Sequence, residues 1–182
     1  MLKIKSYVKV NSIEEAYELN QKKTAIVLGG MVWLKMGNRN ISTAIDLSGL
    51  GLAGIQETDE EFVIGCMTTL RELETDKRLN EYTQGAVTES VRHIVGVQFR
   101  NCATVGGSIW GRYGFSDVLT MFLGMDTWVE LHNAGKIPLT EFVDRKKDND
   151  ILVNIIVKKQ PLRVCYMSQR NTKTDFPVLT CC

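Results

Sequence analysis

Two glycine doublets mark the places where this 182-residue chain can do chemistry. Gly29-Gly30 closes the apolar run Ala25-Ile26-Val27-Leu28, and Gly106-Gly107 sits inside Thr104-Val105-Gly106-Gly107-Ser108. Glycine lets a ligand approach the backbone closely and admits positive φ, so N–H groups can converge on an anion. Thr104 and Ser108 add hydroxyls that bond phosphate oxygens. Two such turns on separate segments suit a pyrophosphate, and hence a dinucleotide, better than a lone phosphate. Arg92, Arg100 and Arg112 are candidate counter-charges. Asp117 is placed either to bond a sugar or ribityl hydroxyl or simply to favour a helix start. Trp33, Trp110 and Tyr113 lie beside the turns and can stack on a flat heterocycle or fill a core.

Other motifs point away from chemistry. Gly49-Leu50-Gly51-Leu52-Ala53-Gly54 has the nicotinamide fingerprint spacing, but Ile55-Gln56-Glu57-Thr58-Asp59-Glu60-Glu61 follows with no helical period. It reads as a loop entering a hairpin, because the fingerprint works only when it opens a helix. His93 and His132 lack metal-ligand companions, and no serine sits in an elbow motif. The five cysteines are odd in number with no CxxC pair, which argues against a disulfide framework and a protein-borne cluster. They read as buried free thiols of a reducing, cytoplasmic compartment. Lys plus Arg is 22 against 21 acidic residues, so no field favours nucleic acid. No apolar run is long enough to span a bilayer.

The elements that must position these residues divide at about Leu52. Before it, Ser6–Val10, Thr24–Leu28 and Thr43–Leu47 read as strands around a helix capped by Ser12 with Glu15, a small parallel βαβ unit. The run at 24–28 reads as buried on both faces, and Met31–Met36 as a short helix closed by Gly37. After it, Leu52–Gln56 and Phe62–Cys66 form a hairpin, Thr69 with Glu72 caps a helix, and Thr83–Val95 is a longer helix stopped by Gly96. Val97–Ile109 reads as a loop. Ser116 opens a helix, Asp126–His132 is a strand, Asn133-Ala134-Gly135 a turn, Leu139–Val143 a short helix, and Ile151–Val157 and Val164–Met167 are strands. The fold class is α+β: a small βαβ part, 1–54, followed by a mixed or antiparallel sheet with packed helices, 55–160. Residues 161–182 are expected to begin a further domain, cut short.

In order, Ala25–Gly30, Ala44-Ile45-Asp46-Leu47-Ser48, Gly51–Ile55, Val63–Thr69 and Val97–Ile109 followed by Asp117 resemble the FAD-binding domain, or medium subunit, of the molybdenum hydroxylases. The Arg-Asn-x-Ala-Thr-x-Gly-Gly core is the most specific of these matches. The resemblance implies that Val27, Leu28, Gly29, Gly30, Met31, Val32 and Trp33 wrap the FAD diphosphate from one side. Thr104, Val105, Gly106, Gly107 and Ser108 would hold it from the other, with Asp117 on a cofactor hydroxyl and Leu152 packed nearby. Trp110 is expected near the flavin ring on position alone. The implied activity is electron relay from iron–sulfur clusters through FAD to NAD or another acceptor. The implied partners are an iron–sulfur subunit and a molybdopterin-binding large subunit. Met31 stands where the family has a hydroxyl residue, and Met167 where it commonly has a lysine. These departures favour a second reading, a flavin-free assembly subunit that keeps the fold.

Overall fold

A computed structural model describes all residues, 1–182. The first unit is a three-stranded parallel sheet in the order β1–β3–β2, with β1 Lys3–Lys9, β2 Ala25–Leu28 and β3 Asn40–Asp46. Helix α1, Ile13–Asn20, crosses from β1 to β2; the Ser12 hydroxyl caps it by accepting from the Glu15 N–H. The run at 25–28 is an edge strand with only Leu28 buried, so its apolar character does not mark a central position. Buried Ile41, Ala44 and Ile45 put the interior on β3 instead. The helix expected at 31–36 shrinks to one 3₁₀ turn, Leu34–Met36. Met31 holds φ at 57°, which breaks the start of a right-handed helix.

The second unit is a five-stranded antiparallel sheet ordered β4–β5–β8–β6–β7. Its strands are β4 Ile55–Glu57, β5 Glu61–Gly65, β6 Thr127–Leu131, β7 Gly135–Pro138 and β8 Leu152–Lys158. The acidic turn between β4 and β5 forms the hairpin its sequence predicts. Buried Asp150 pins the β6–β7 turn beside β8, accepting from the N–H groups of Asn133, Ala134 and Ile151. Helices α2 Leu70–Thr75, α3 Lys77–Tyr82 and α4 Ala86–Val91 follow β5; α5 Val97–Arg100, α6 Val105–Gly111 and α7 Asp117–Leu123 come next; α8 Leu139–Asp144 follows β7. Thr69 and Glu72 close a full capping box on α2, as read from the sequence.

Three expectations change here. The single helix at 83–95 contracts to α4, because Gln84 and Gly85 before it and Val95 after it take positive φ. The loop at 97–109 contains two short helices. The last strand moves to β9, Met167–Arg170, paired with an unforeseen β10, Pro177–Cys181. One hydrophobic cluster joins the units: Val10, Ala16, Ile45 and Leu47 from the first pack with Phe62, Ile109, Phe122 and Phe142 of the second. Only Cys66 of the five thiols is buried. Burial pushes that thiol up to about 12, which makes it inert; the other four lie in loops or the last strand and are exposed.

Candidate functional site

The site forms where the turn after β2 meets the start of α6. A Cβ on Gly29 would sit 2.8 Å from the Thr104 hydroxyl oxygen, and one on Gly30 would sit 1.8 Å from the Cys102 carbonyl oxygen. Only glycine allows the two segments this close. A cavity of about 670 Å³ opens on one side of the contact, lined by Gly30, Met31, Val32, Trp33, Ser108 and Asp117, with Arg170 and Phe176. A second, of about 540 Å³, opens on the other, lined by Leu28, Cys66, Gly106, Lys23, Lys147 and Leu152. Val27, Gly29, Arg39, Thr104, Gly107, Trp110 and Tyr113 line both. The whole is a two-lobed cleft with a glycine waist.

The waist has an uneven supply of donors. None of the N–H groups from Gly29 to Leu34 donates to a protein acceptor, and φ of 57° at Met31 curls this stretch. Consecutive free amides in such a curl form an anion-binding concavity. The opposite wall differs from expectation. Val105 N–H donates to the Thr68 carbonyl (2.8 Å), Gly106 N–H to that of Cys66 (2.9 Å) and Ser108 N–H to that of Thr104 (3.1 Å). Gly107 N–H donates to Thr104 Oγ1, the N-cap of α6. Those four amides are occupied, so no amide nest exists on this side. Gly106 serves packing: a Cβ there would lie 2.5 Å from the Cys66 carbonyl oxygen. Val105 is fully buried in the core rather than in the cleft. What this wall presents is the Thr104 hydroxyl, with its proton still to donate, and the unpartnered Thr104 N–H.

The arginines sort sharply. Buried Arg100 makes a two-pronged pair with Glu74 (2.8 and 3.2 Å) and donates to the Ile94 carbonyl, so it is not a phosphate ligand. Arg92 pairs with Glu89 at the surface. Arg112 lies over the Phe142 ring, 3.8 Å from its centroid, with its Nε buried and unpartnered. Arg39 lines both lobes and is engaged by no carboxylate. The sequence reading missed it because nothing local ties it to either glycine turn. Asp117 is buried beneath the first lobe, where Tyr166 donates to it and Arg170 pairs with it. Burial raises its carboxyl above the ordinary range, against the opposing pull of Tyr166 and Arg170.

Aromatic rings cluster at the mouth of the first lobe: Trp33 with Tyr113, Phe115 and Phe176, at centroid distances of 5.4–6.3 Å. Trp110 lies deeper, against Phe142. Two lobes joined by a waist of free amides fit a two-headed molecule with a central diphosphate, which is the shape of FAD.

Residues 2–159 match the family described as the FAD binding domain in molybdopterin dehydrogenase. The chain belongs to that family. FAD is therefore its cofactor. The alpha subunit of the 6-hydroxypseudooxynicotine dehydrogenase complex of Paenarthrobacter nicotinovorans is 27% identical over 170 residues, covering 85% of this chain and 57% of that protein. Two solved structures superpose closely. Quinoline 2-oxidoreductase from Pseudomonas putida 86 has a TM-score of 0.87 at 17% identity, over 96% of this chain and 66% of that one. Reconstituted CO dehydrogenase from Oligotropha carboxidovorans has a TM-score of 0.84 at 21% identity, over 98% and 68%. At such identities they establish the fold. The chain spans 57–62% of the length of the curated relatives it matches. No helix is long and apolar enough to cross a membrane.

Proposed function

We propose that this chain is the flavin-holding relay of a molybdenum hydroxylase complex, passing electrons from a partner's iron–sulfur clusters through FAD to NAD or another acceptor. The observation that carries it is the run of unpartnered amides from Gly29 to Leu34 at the waist of a two-lobed cleft. FAD, when bound, supplies the redox chemistry. The chain's part is to bind and orient: the 29–34 amides and the Thr104 hydroxyl on the diphosphate, Arg39 as counter-charge, and Asp117 on a hydroxyl. Trp33, Trp110 and Tyr113 supply flat apolar surface that excludes water. The partners proposed are an iron–sulfur subunit and a molybdopterin-binding large subunit; the Paenarthrobacter relative, named as a subunit of a complex, supports that assembly.

Purification with absorption near about 450 nm, the signature of an oxidised flavin, or uptake of added FAD, is the expected result. Gly107→Asp sharpens the test. Residue 107 is the third of α6 behind its Thr104 cap, where an acidic side chain favours the helix start. The fold is expected to persist while FAD is lost, because the new carboxylate faces the diphosphate. A colourless protein that ignores added FAD overturns the relay and leaves the flavin-free assembly subunit.

A further inference from the structure

Asp117 opens α7 and lines the first lobe, yet both of its donors come from far along the chain. Tyr166 Oη donates to Asp117 Oδ1 at 2.6 Å, and Arg170 pairs with the same oxygen. The pair is almost dry, with the Arg170 and Asp117 side chains 7% and 6% exposed. Because both bonds end on Oδ1, no side-chain donor reaches Oδ2. The same C-terminal hairpin also reaches the opposite wall. Arg170 donates to the Asp175 carbonyl, and the next residue, Phe176, stacks on Trp33 at 5.4 Å and packs on Phe115 at 4.8 Å. Trp33 belongs to the stretch whose amides are unpartnered. The hairpin thus spans the cleft from Asp117 to the glycine turn.

We propose that Tyr166 and Arg170 are positioning residues that fix the Asp117 carboxylate so that Oδ2 accepts a hydroxyl of the cofactor, which makes docking of the β9–β10 hairpin and cofactor binding one coupled event. The inference rests on the FAD reading above. Its physics is simple. A buried carboxylate without a cation tends to neutralise, and an unfixed one samples several rotamers; two donors on one oxygen leave the other charged and aimed.

The test is a fluorescence titration of the full chain with FAD, alongside hydrogen exchange across residues 167–181. Tyr166→Phe is expected to weaken binding about tenfold and Arg170→Met about a hundredfold, in line with removing a neutral and a cationic donor from the same carboxylate. Arg170→Lys restores most of the loss. In an Asp117→Asn background, Arg170→Met costs nothing further, since the pair acts as a unit. FAD slows exchange in the hairpin of the unmodified chain and not in Asp117→Asn. If Arg170→Met fails to fold, Tyr166→Phe, which removes one hydroxyl, carries the test. An unmodified chain that binds FAD while these variants match it, or whose losses simply add, overturns the positioning role alone. An unmodified chain that takes up no FAD overturns the flavin reading itself.

Discussion

Single residues decide most of what this cleft can do, and the two buried arginine–carboxylate pairs show how position separates similar chemistry. Arg100 lies beside the glycine turn in sequence but points into the core, where it joins Arg71 on Glu74. Burial alone raises the Glu74 carboxyl, yet the Arg100 and Arg71 guanidiniums outweigh it and hold the group below the ordinary range. A lowered folded-state value stabilises at neutral pH, and that stabilisation disappears as pH falls through the folded value. Arg100→Met is therefore expected to cost about 3 kcal/mol at pH 7, the order for breaking a buried pair. It is also expected to flatten the loss of stability on acidification, measured by urea unfolding from pH 7 to pH ~4. FAD affinity of the folded fraction should stay unchanged; a large loss would return Arg100 to the cleft. The sequence could not make this distinction, because Glu74 and Arg100 are tied only through the packing of α2 on α5.

At the scale of elements, the cleft depends on a turn that is strained and a helix that the sequence hides. Capping signals were readable: Thr69 with Glu72, Ser12 with Glu15 and Ser116 all sit where helices begin. The α6 start was not, because paired glycines are poor helix formers and read as a bend. Tertiary contacts override that preference: Thr68 and Cys66 carbonyls take the first amides of the helix, and the glycines permit the approach. Met31 is the reverse case, a long side chain held in a left-handed conformation. Asparagine tolerates that conformation and carries a donor. Met31→Asn is thus expected to change stability by less than about 1 kcal/mol and to tighten FAD binding about tenfold, the effect of one added hydrogen bond to phosphate. Equilibrium dialysis against FAD reads this directly, and an unchanged affinity would take residue 31 off the diphosphate.

For the molecule as a whole, order along the chain foretold the architecture better than it foretold the neighbours. The βαβ part and the antiparallel part were both legible from periodicity and turn residues. That the turns at Gly29 and Thr104 serve one diphosphate follows from their paired glycines and from the resemblance of both segments to one family, whereas the hairpin at 167–181 leaves little mark in the sequence because its strands are short and half polar. Since one core joins both sheets, the cleft walls are expected to melt together. FAD at a hundredfold excess over its dissociation constant should raise stability by about 2.7 kcal/mol, or Tm by roughly 8 °C for a domain of this size, in one calorimetric transition. Two separate transitions would show that the units unfold independently.

The open amides between Gly29 and Leu34 do not distinguish one oxyanion from another. Inorganic phosphate and sulfate are therefore expected to compete for that curl. Titrations in phosphate buffer should understate the affinity for the dinucleotide, while the same salts steady the empty protein against heat.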